Sequence, residues 1–210
     1  MSTQLCFFAT LIFLAAHLYG ERRAASPAYL AATKLGASTG FLATAIVNGA
    51  FDSAFGQWIF VGLALSWVGD ACLLGKARAP FLAGLVAFLL GHVGYVVAFA
   101  VRGLDVNATL TAIPLLFGVA LIVDRWLRSH VDGGMRAAVR AYIVVISMML
   151  ACAVGAWRGG APPIALIGAL AFYLSDLSVA RERFVESNFI NRAWGLPAYY
   201  LGQLCLAMAV

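Results

Sequence analysis

Charge is what this chain has least of. Asp, Glu, Lys and Arg make up 11% of its 210 residues, against 63% hydrophobic. A soluble domain of this length carries roughly 25% charged residues, so a fully water-facing surface is excluded and lipid is the main solvent. Cysteine is scarce as well. Cys6, Cys72, Cys152 and Cys205 each stand in a separate apolar run with no CxxC pair; they read as small apolar residues, not as a disulfide frame or thiolate metal site. His17, His92 and His130 share no ligand spacing. HExxH, a phosphate-cradling glycine loop and a serine nucleophile elbow are all missing, so neither a metal nor a cofactor is expected. The formal net charge of +5 does not point to nucleic acid. The basic residues lie in short loops between apolar runs, where they anchor to anionic lipid and set topology.

What is present is a series of long apolar runs, at 4–20, 28–48, 56–75, 80–101, 108–126, 138–157, 162–181 and 193–210. A spanning helix needs about 20 residues, and in a bilayer every backbone polar group must be paired within its own segment. The expected fold is therefore all-α: a single transmembrane domain over residues 1–210, a polytopic bundle of about eight helices. Eleven of the fourteen basic residues fall in or beside the first, third, fifth and seventh loops, two in the even loops, and Lys34 inside helix 2. That asymmetry predicts odd loops in the cytoplasm, both termini outside, and residence in the inner membrane if the source is bacterial. No Lys or Arg precedes Arg22, so the first run reads as a retained helix, not a signal peptide. An internal likeness joins helices 3 and 7. Gly62 precedes Asp70 by eight residues, as Gly168 precedes Asp176, with a small residue just before each Asp. The pattern hints at a four-plus-four parallel repeat, although small residues are common at membrane helix interfaces anyway.

Four ionisable groups fall inside the spans: Lys34, Asp70, His92 and Asp176. A charge at mid-helix costs roughly 2.5–3.5 kcal/mol on insertion scales, so these groups must be paired, neutralised or facing a wet cavity. At about 1.5 Å per residue, Asp70 and Asp176 lie roughly 7–8 Å inside the cytoplasmic boundary, with Tyr199 and Lys34 roughly 9–10 Å in. His92 and Tyr95 lie deeper, with Gln203 between. Ser66 and Asp70, His92 and Tyr95, and Tyr199 and Gln203 each share a helix face. Bland readings exist for each one alone. Lys34 could snorkel, the Asp residues could be structural ion partners, His92 could be an interhelical hydrogen-bonder, and Tyr199 and Tyr200 could belong to the aromatic belt. Convergence of four helices on one layer favours a site. Two carboxyl groups beside a buried amine suit general acid–base chemistry.

The stretches 62–74 (GLALSWVGDACLL), 88–99 (FLLGHVGYVVAF), 168–180 (GALAFYLSDLSVA) and 199–204 (YYLGQL) resemble, in order and over nearly the whole chain, the signature segments of the YhhN-like lysoplasmalogenase membrane proteins. The resemblance implies an eight-helix bundle that hydrolyses the vinyl ether of an alkenyl lysophospholipid to a fatty aldehyde and a glycerophospho-base. Carried over by position, it implies a polar site of Lys34, Asp70, His92, Tyr95, Asp176, Tyr199 and Gln203. One departure is Leu35, where the family often has proline after the helix 2 lysine. On this reading Asp70 and Asp176 are the catalytic pair, one donating a proton to carbon and the other serving the water and the cation. Lys34, Ser66, His92, Tyr95, Tyr199 and Gln203 support them, and Arg78, Arg181, Arg183 and Arg192 are headgroup candidates. The partners are lysophospholipid and membrane lipid. The rival readings are a small proton- or ion-coupled transporter, which predicts flux without product, and a non-catalytic lysolipid-binding protein.

Overall fold

The computed structural model describes residues 2–75 and 77–210; Lys76, counted above with the third loop, lies outside them. Eight α-helices follow in order: α1 Thr3–Arg22, α2 Pro27–Val47, α3 Ala54–Cys72, α4 Arg78–Arg102, α5 Val106–Leu127, α6 Gly133–Arg158, α7 Pro163–Ala180 and α8 Phe189–Ala207. A π-helical segment, Arg181–Val185, prolongs α7. Among the described residues there is no strand. The caps follow the sequence. Ser2, Ser26, Ser53, Asp105 and Asn188 each accept from a backbone N–H three residues on, starting α1, α2, α3, α5 and α8, where small polar side chains satisfy first-turn donors that would otherwise lack partners. Gly103, at φ 107°, ends α4 in a backbone region that favours glycine.

The apolar runs and the helices coincide to within a few residues, with two exceptions. Helix α6 begins five residues before its apolar run and α8 begins four before. The extra turns carry Arg136, and Asn191 with Arg192, which lower the local hydropathy although the backbone stays helical. Six of the eight helices are long and apolar enough to cross a membrane by length and composition. The other two, α3 and α8, carry Ser66 and Asp70, and Asn191, Tyr199 and Gln203, all buried.

Helix pairs α3/α4 and α7/α8 pack closest, and both do so through glycine. A Cβ on Gly91 would lie 3.1 Å from the Gly62 carbonyl oxygen, and one on Gly168 would lie 2.8 Å from the Gly202 carbonyl oxygen. The likeness between α3 and α7 thus extends into packing and to a second pair of segments. Phe88-Leu-Leu-Gly-His92 on α4 stands to Tyr199-Tyr-Leu-Gly-Gln203 on α8 as Gly62–Asp70 stands to Gly168–Asp176. Because the atoms facing Gly168 include backbone, Gly168→Ala is expected to cost about 1–3 kcal/mol through forced separation of α7 and α8. Gly118, on the outer helix α5, has nothing within 4 Å of its Cβ position, so Gly118→Ala should leave stability unchanged or slightly raised. Thermal melting of both variants in detergent checks the contrast.

Candidate functional site

A cavity of about 700 Å³ enters the bundle from the end that carries the odd-numbered loops. Asp70 and Asp176 both line it, with Lys34, Tyr142 and Tyr199. Its walls are apolar, from Phe81, Phe88, Val139 and Ile143 among others, and Glu21, Arg183 and Arg192 stand toward its mouth. The mouth-side wall has its own apolar packing, where Phe81 of α4 meets Leu127, Met135 and Val139 of α5 and α6. Polar groups thus sit in a pocket mostly shaped by hydrocarbon. That arrangement raises the strength of each electrostatic contact inside it.

Asp70 is held by donors on every side. Its Oδ2 accepts from the Ser38 hydroxyl and the Tyr199 hydroxyl, each at 2.7 Å. Its Oδ1 lies 3.4 Å from the Lys34 ammonium. The Tyr200 hydroxyl, 3.1 Å from both Ser38 Oγ and the Lys34 carbonyl oxygen, backs this cluster. Lys34 therefore turns inward to a carboxylate and does not snorkel. Leu35 leaves α2 unbroken from Pro27 to Val47, so the lysine reaches Asp70 without the proline expected after it. Tyr199 and Tyr200 are 6% and 0% exposed, which removes them from the aromatic belt.

Asp176 has a different environment. Its Oδ2 accepts from the Tyr142 hydroxyl at 2.6 Å, and His92 Nε2 lies 3.7 Å from the same oxygen. His92 Nδ1 sits 2.7 Å from the Phe88 carbonyl oxygen. A carbonyl can only accept, so Nδ1 carries a hydrogen and the Nε2 of the neutral ring is a lone pair. This Nε2 is buried without a hydrogen-bond partner and points at the carboxyl. No cation pairs with Asp176 apart from His92 if protonated, among the described residues.

The two carboxyl groups are related by the internal likeness of the halves. Asp70 on α3 is met from α2 and from α8; Asp176 on α7 is met from α6 and from α4. Each Asp thus meets the second helix of its own half and the fourth helix of the other half. The surroundings are not equal, because Lys34 and Ser38 on α2 are answered only by Tyr142 on α6.

The remaining expected residues lie behind this layer. Tyr95 donates to Gln203 Oε1 at 2.8 Å, tying α4 to α8. Ser66 bonds back to the Gly62 carbonyl oxygen at 2.9 Å and leaves Asp70 to Ser38. Neither Ser66, Tyr95, Gln203 nor His92 lines the cavity. Sequence reasoning missed Ser38 and Tyr142. Ser38 follows Lys34 by four residues, a signal of a shared face that was available. Tyr142 stands early in an apolar span, where a belt position and a site position look alike.

The sequence compares as follows. A family model described as YhhN family matches residues 29–210. Lysoplasmalogenase TMEM86A of Bos taurus is 30% identical over 158 residues, covering 72% of this chain and 64% of the relative. Its Homo sapiens counterpart is 31% identical over 158 residues with the same coverage. Lysoplasmalogenase TMEM86B of Mus musculus is 32% identical over 157 residues, covering 72% and 63%. The matched part is thus under two thirds of these relatives' own length. No solved structure matches.

Proposed function

The chain belongs to the YhhN family, and on that ground we propose that it is a lysoplasmalogenase-like hydrolase of the vinyl ether bond in alkenyl lysophospholipids. The observation that carries the proposal is the pair of unequally surrounded carboxyl groups lining one apolar-walled cavity. Vinyl ethers hydrolyse by protonation of carbon, so the reaction needs one acid and one base near a chain of hydrocarbon, and both are at hand.

The surroundings support a division of roles. Asp70 faces only donors, Ser38, Tyr199 and the Lys34 ammonium, which suits a carboxylate. Asp176 faces the Nε2 lone pair of His92, which suits a carboxyl that carries the proton. Asp176 gives that proton to the vinyl carbon remote from oxygen, leaving an oxocarbenium ion that the Asp70 carboxylate stabilises. Water adds to the carbon beside oxygen and yields a proton to Asp70. The hemiacetal then splits, its hydroxyl proton passing to the departing glycerol oxygen. Return of the proton from Asp70 to Asp176 resets the site. Such carboxylate pairs divide labour in the same way at other oxocarbenium centres. The basic loops support a cavity mouth on the cytoplasmic side, with both termini outside, and substrate entry from the inner leaflet. Lysophospholipid and membrane lipid are then the partners, and the inner membrane is the location in a bacterium.

The test is detergent-purified protein with alkenyl lysophosphatidylethanolamine and an aldehyde readout. Release from the alkenyl lipid and none from the matched alkyl ether, which cannot be protonated at carbon, is the expected result. Proton or ion flux in liposomes with no aldehyde would transfer the site to a transport role, and binding without turnover to a lipid-carrier role.

A further inference from the structure

Four arginines near the cavity end of the bundle are headgroup candidates by sequence, and the structure separates them. Arg181 pairs with Glu186 at 3.3 Å on the exposed surface. Arg192 is spent between two carboxylates. Its Nε is 2.7 Å from Glu21 Oε2, an ion contact not aligned as a hydrogen bond, and its Nη1 bonds Glu182. Arg192 thereby ties α1 to the π-helical segment. Arg78, on the first turn of α4, does not line the cavity. Arg183 does. Its guanidinium carbon stands 4.2 Å from the centroid of the Phe81 ring, on another cavity wall. Among the described residues no carboxylate pairs with it, while every other cation lining the cavity (Lys34, Arg192) has one.

We propose that Arg183 is the anion anchor of the cavity and binds the phosphodiester of a lysophospholipid, a role that rests on the hydrolase reading above. Spacing supports it. Arg183 follows Asp176 by seven residues, roughly 10 Å along the axis, and both side chains line the cavity. That sets the guanidinium nearer the mouth than the carboxyl, in the order that phosphate and ether oxygen take along a glycerophospholipid. A π-helical turn, of the kind that recurs at functional sites, carries Arg183 itself. Stacking on Phe81 holds the guanidinium plane and leaves its N–H fork free for two oxygens, the geometry in which arginine exceeds lysine as a phosphate ligand. A guanidinium with no carboxylate partner among the described residues favours an anionic group at that depth.

The experiment uses Arg183→Gln and Arg183→Lys in the full chain, against two alkenyl substrates. One is alkenyl lysophosphatidylethanolamine and the other is 1-alkenylglycerol, which has the same ether and chain and no phosphate. Loss of a charge-assisted contact should raise KM for the phospholipid about 10- to 100-fold, with kcat within a few-fold of wild type. KM for alkenylglycerol should not move, and Arg183→Lys should fall between. Equal loss on both substrates, or no loss on either, overturns the anchor. A second arm needs no turnover: binding of acyl lysophosphatidylethanolamine, measured by titration in detergent, should weaken by the same factor in Arg183→Gln. If wild type releases no aldehyde yet binds this lipid through Arg183, the hydrolase reading falls and the anchor stands. If aldehyde is released and neither KM nor binding moves, the anchor alone falls.

Discussion

Asp176→Asn is expected to lower kcat for aldehyde release by about 10²- to 10⁴-fold, the range for loss of a positioned general acid, with little change in thermal stability. The two halves of that outcome have separate causes. Asparagine keeps the volume of the side chain and an oxygen that can accept from Tyr142, now held at 2.6 Å. His92 Nε2, 3.7 Å from that same oxygen, has no hydrogen bond to lose. The packing and the hydrogen-bond count therefore survive. What is lost is a proton that can be passed to carbon. The same step predicts an isotopic signature in wild type: in heavy water the aldehyde should carry one deuterium on the carbon next to the carbonyl, and turnover should slow. Tyr142→Phe, which removes a hydroxyl bonded to Asp176, should lower kcat less than Asp176→Asn and leave KM nearly unchanged. Aldehyde released by Asp176→Asn at the wild-type rate would sink the assignment.

The bundle was legible in the sequence because membrane physics leaves few choices. A run of about 20 apolar residues with no water to bond its backbone must be a helix. The level along the helices at which these side chains meet was legible for the same reason, since helical rise converts residue number into distance along the axis. Lys34, Asp70 and Tyr199 do converge. The partners within the layer were less legible. Whether Ser66 or Ser38 serves Asp70 is a matter of helix rotation, and rotation in a bundle is set by glycine contacts such as Gly62 with Gly91 and Gly168 with Gly202. These contacts depend on which helices are neighbours, and one sequence does not state that. Tyr142 was hidden for a related reason. A tyrosine four residues into an apolar span reads as a membrane-interface residue, and only the closeness of α6 to α7 makes it a partner of Asp176.

Breaking the Lys34–Asp70 pair should show up in stability as well as in rate. Lys34 is 9% exposed and Asp70 2%, with 3.4 Å between ammonium and carboxylate. Removing one member leaves the other buried and unanswered, a change that costs about 3–5 kcal/mol in buried pairs. Asp70→Asn also weakens the hydrogen bonds from Ser38 and Tyr199, both at 2.7 Å and both to the same oxygen. The expected result is a marked drop in melting temperature for Asp70→Asn and for Lys34→Met, each measured in the same detergent. The double variant Lys34→Met/Asp70→Asn removes both charges and should regain much of the lost stability, because the desolvation penalty goes with them. Activity should not return with it. The carboxylate proposed to stabilise the oxocarbenium ion and take the proton from water is gone in the double variant, so aldehyde release should stay about 10²-fold or more below wild type. A double variant that recovers both stability and turnover would make Asp70 a structural ion partner of Lys34 and leave Asp176 to act alone. Recovery of stability without turnover would separate the two duties proposed for Asp70, holding α2, α3 and α8 together and acting as the base of the pair.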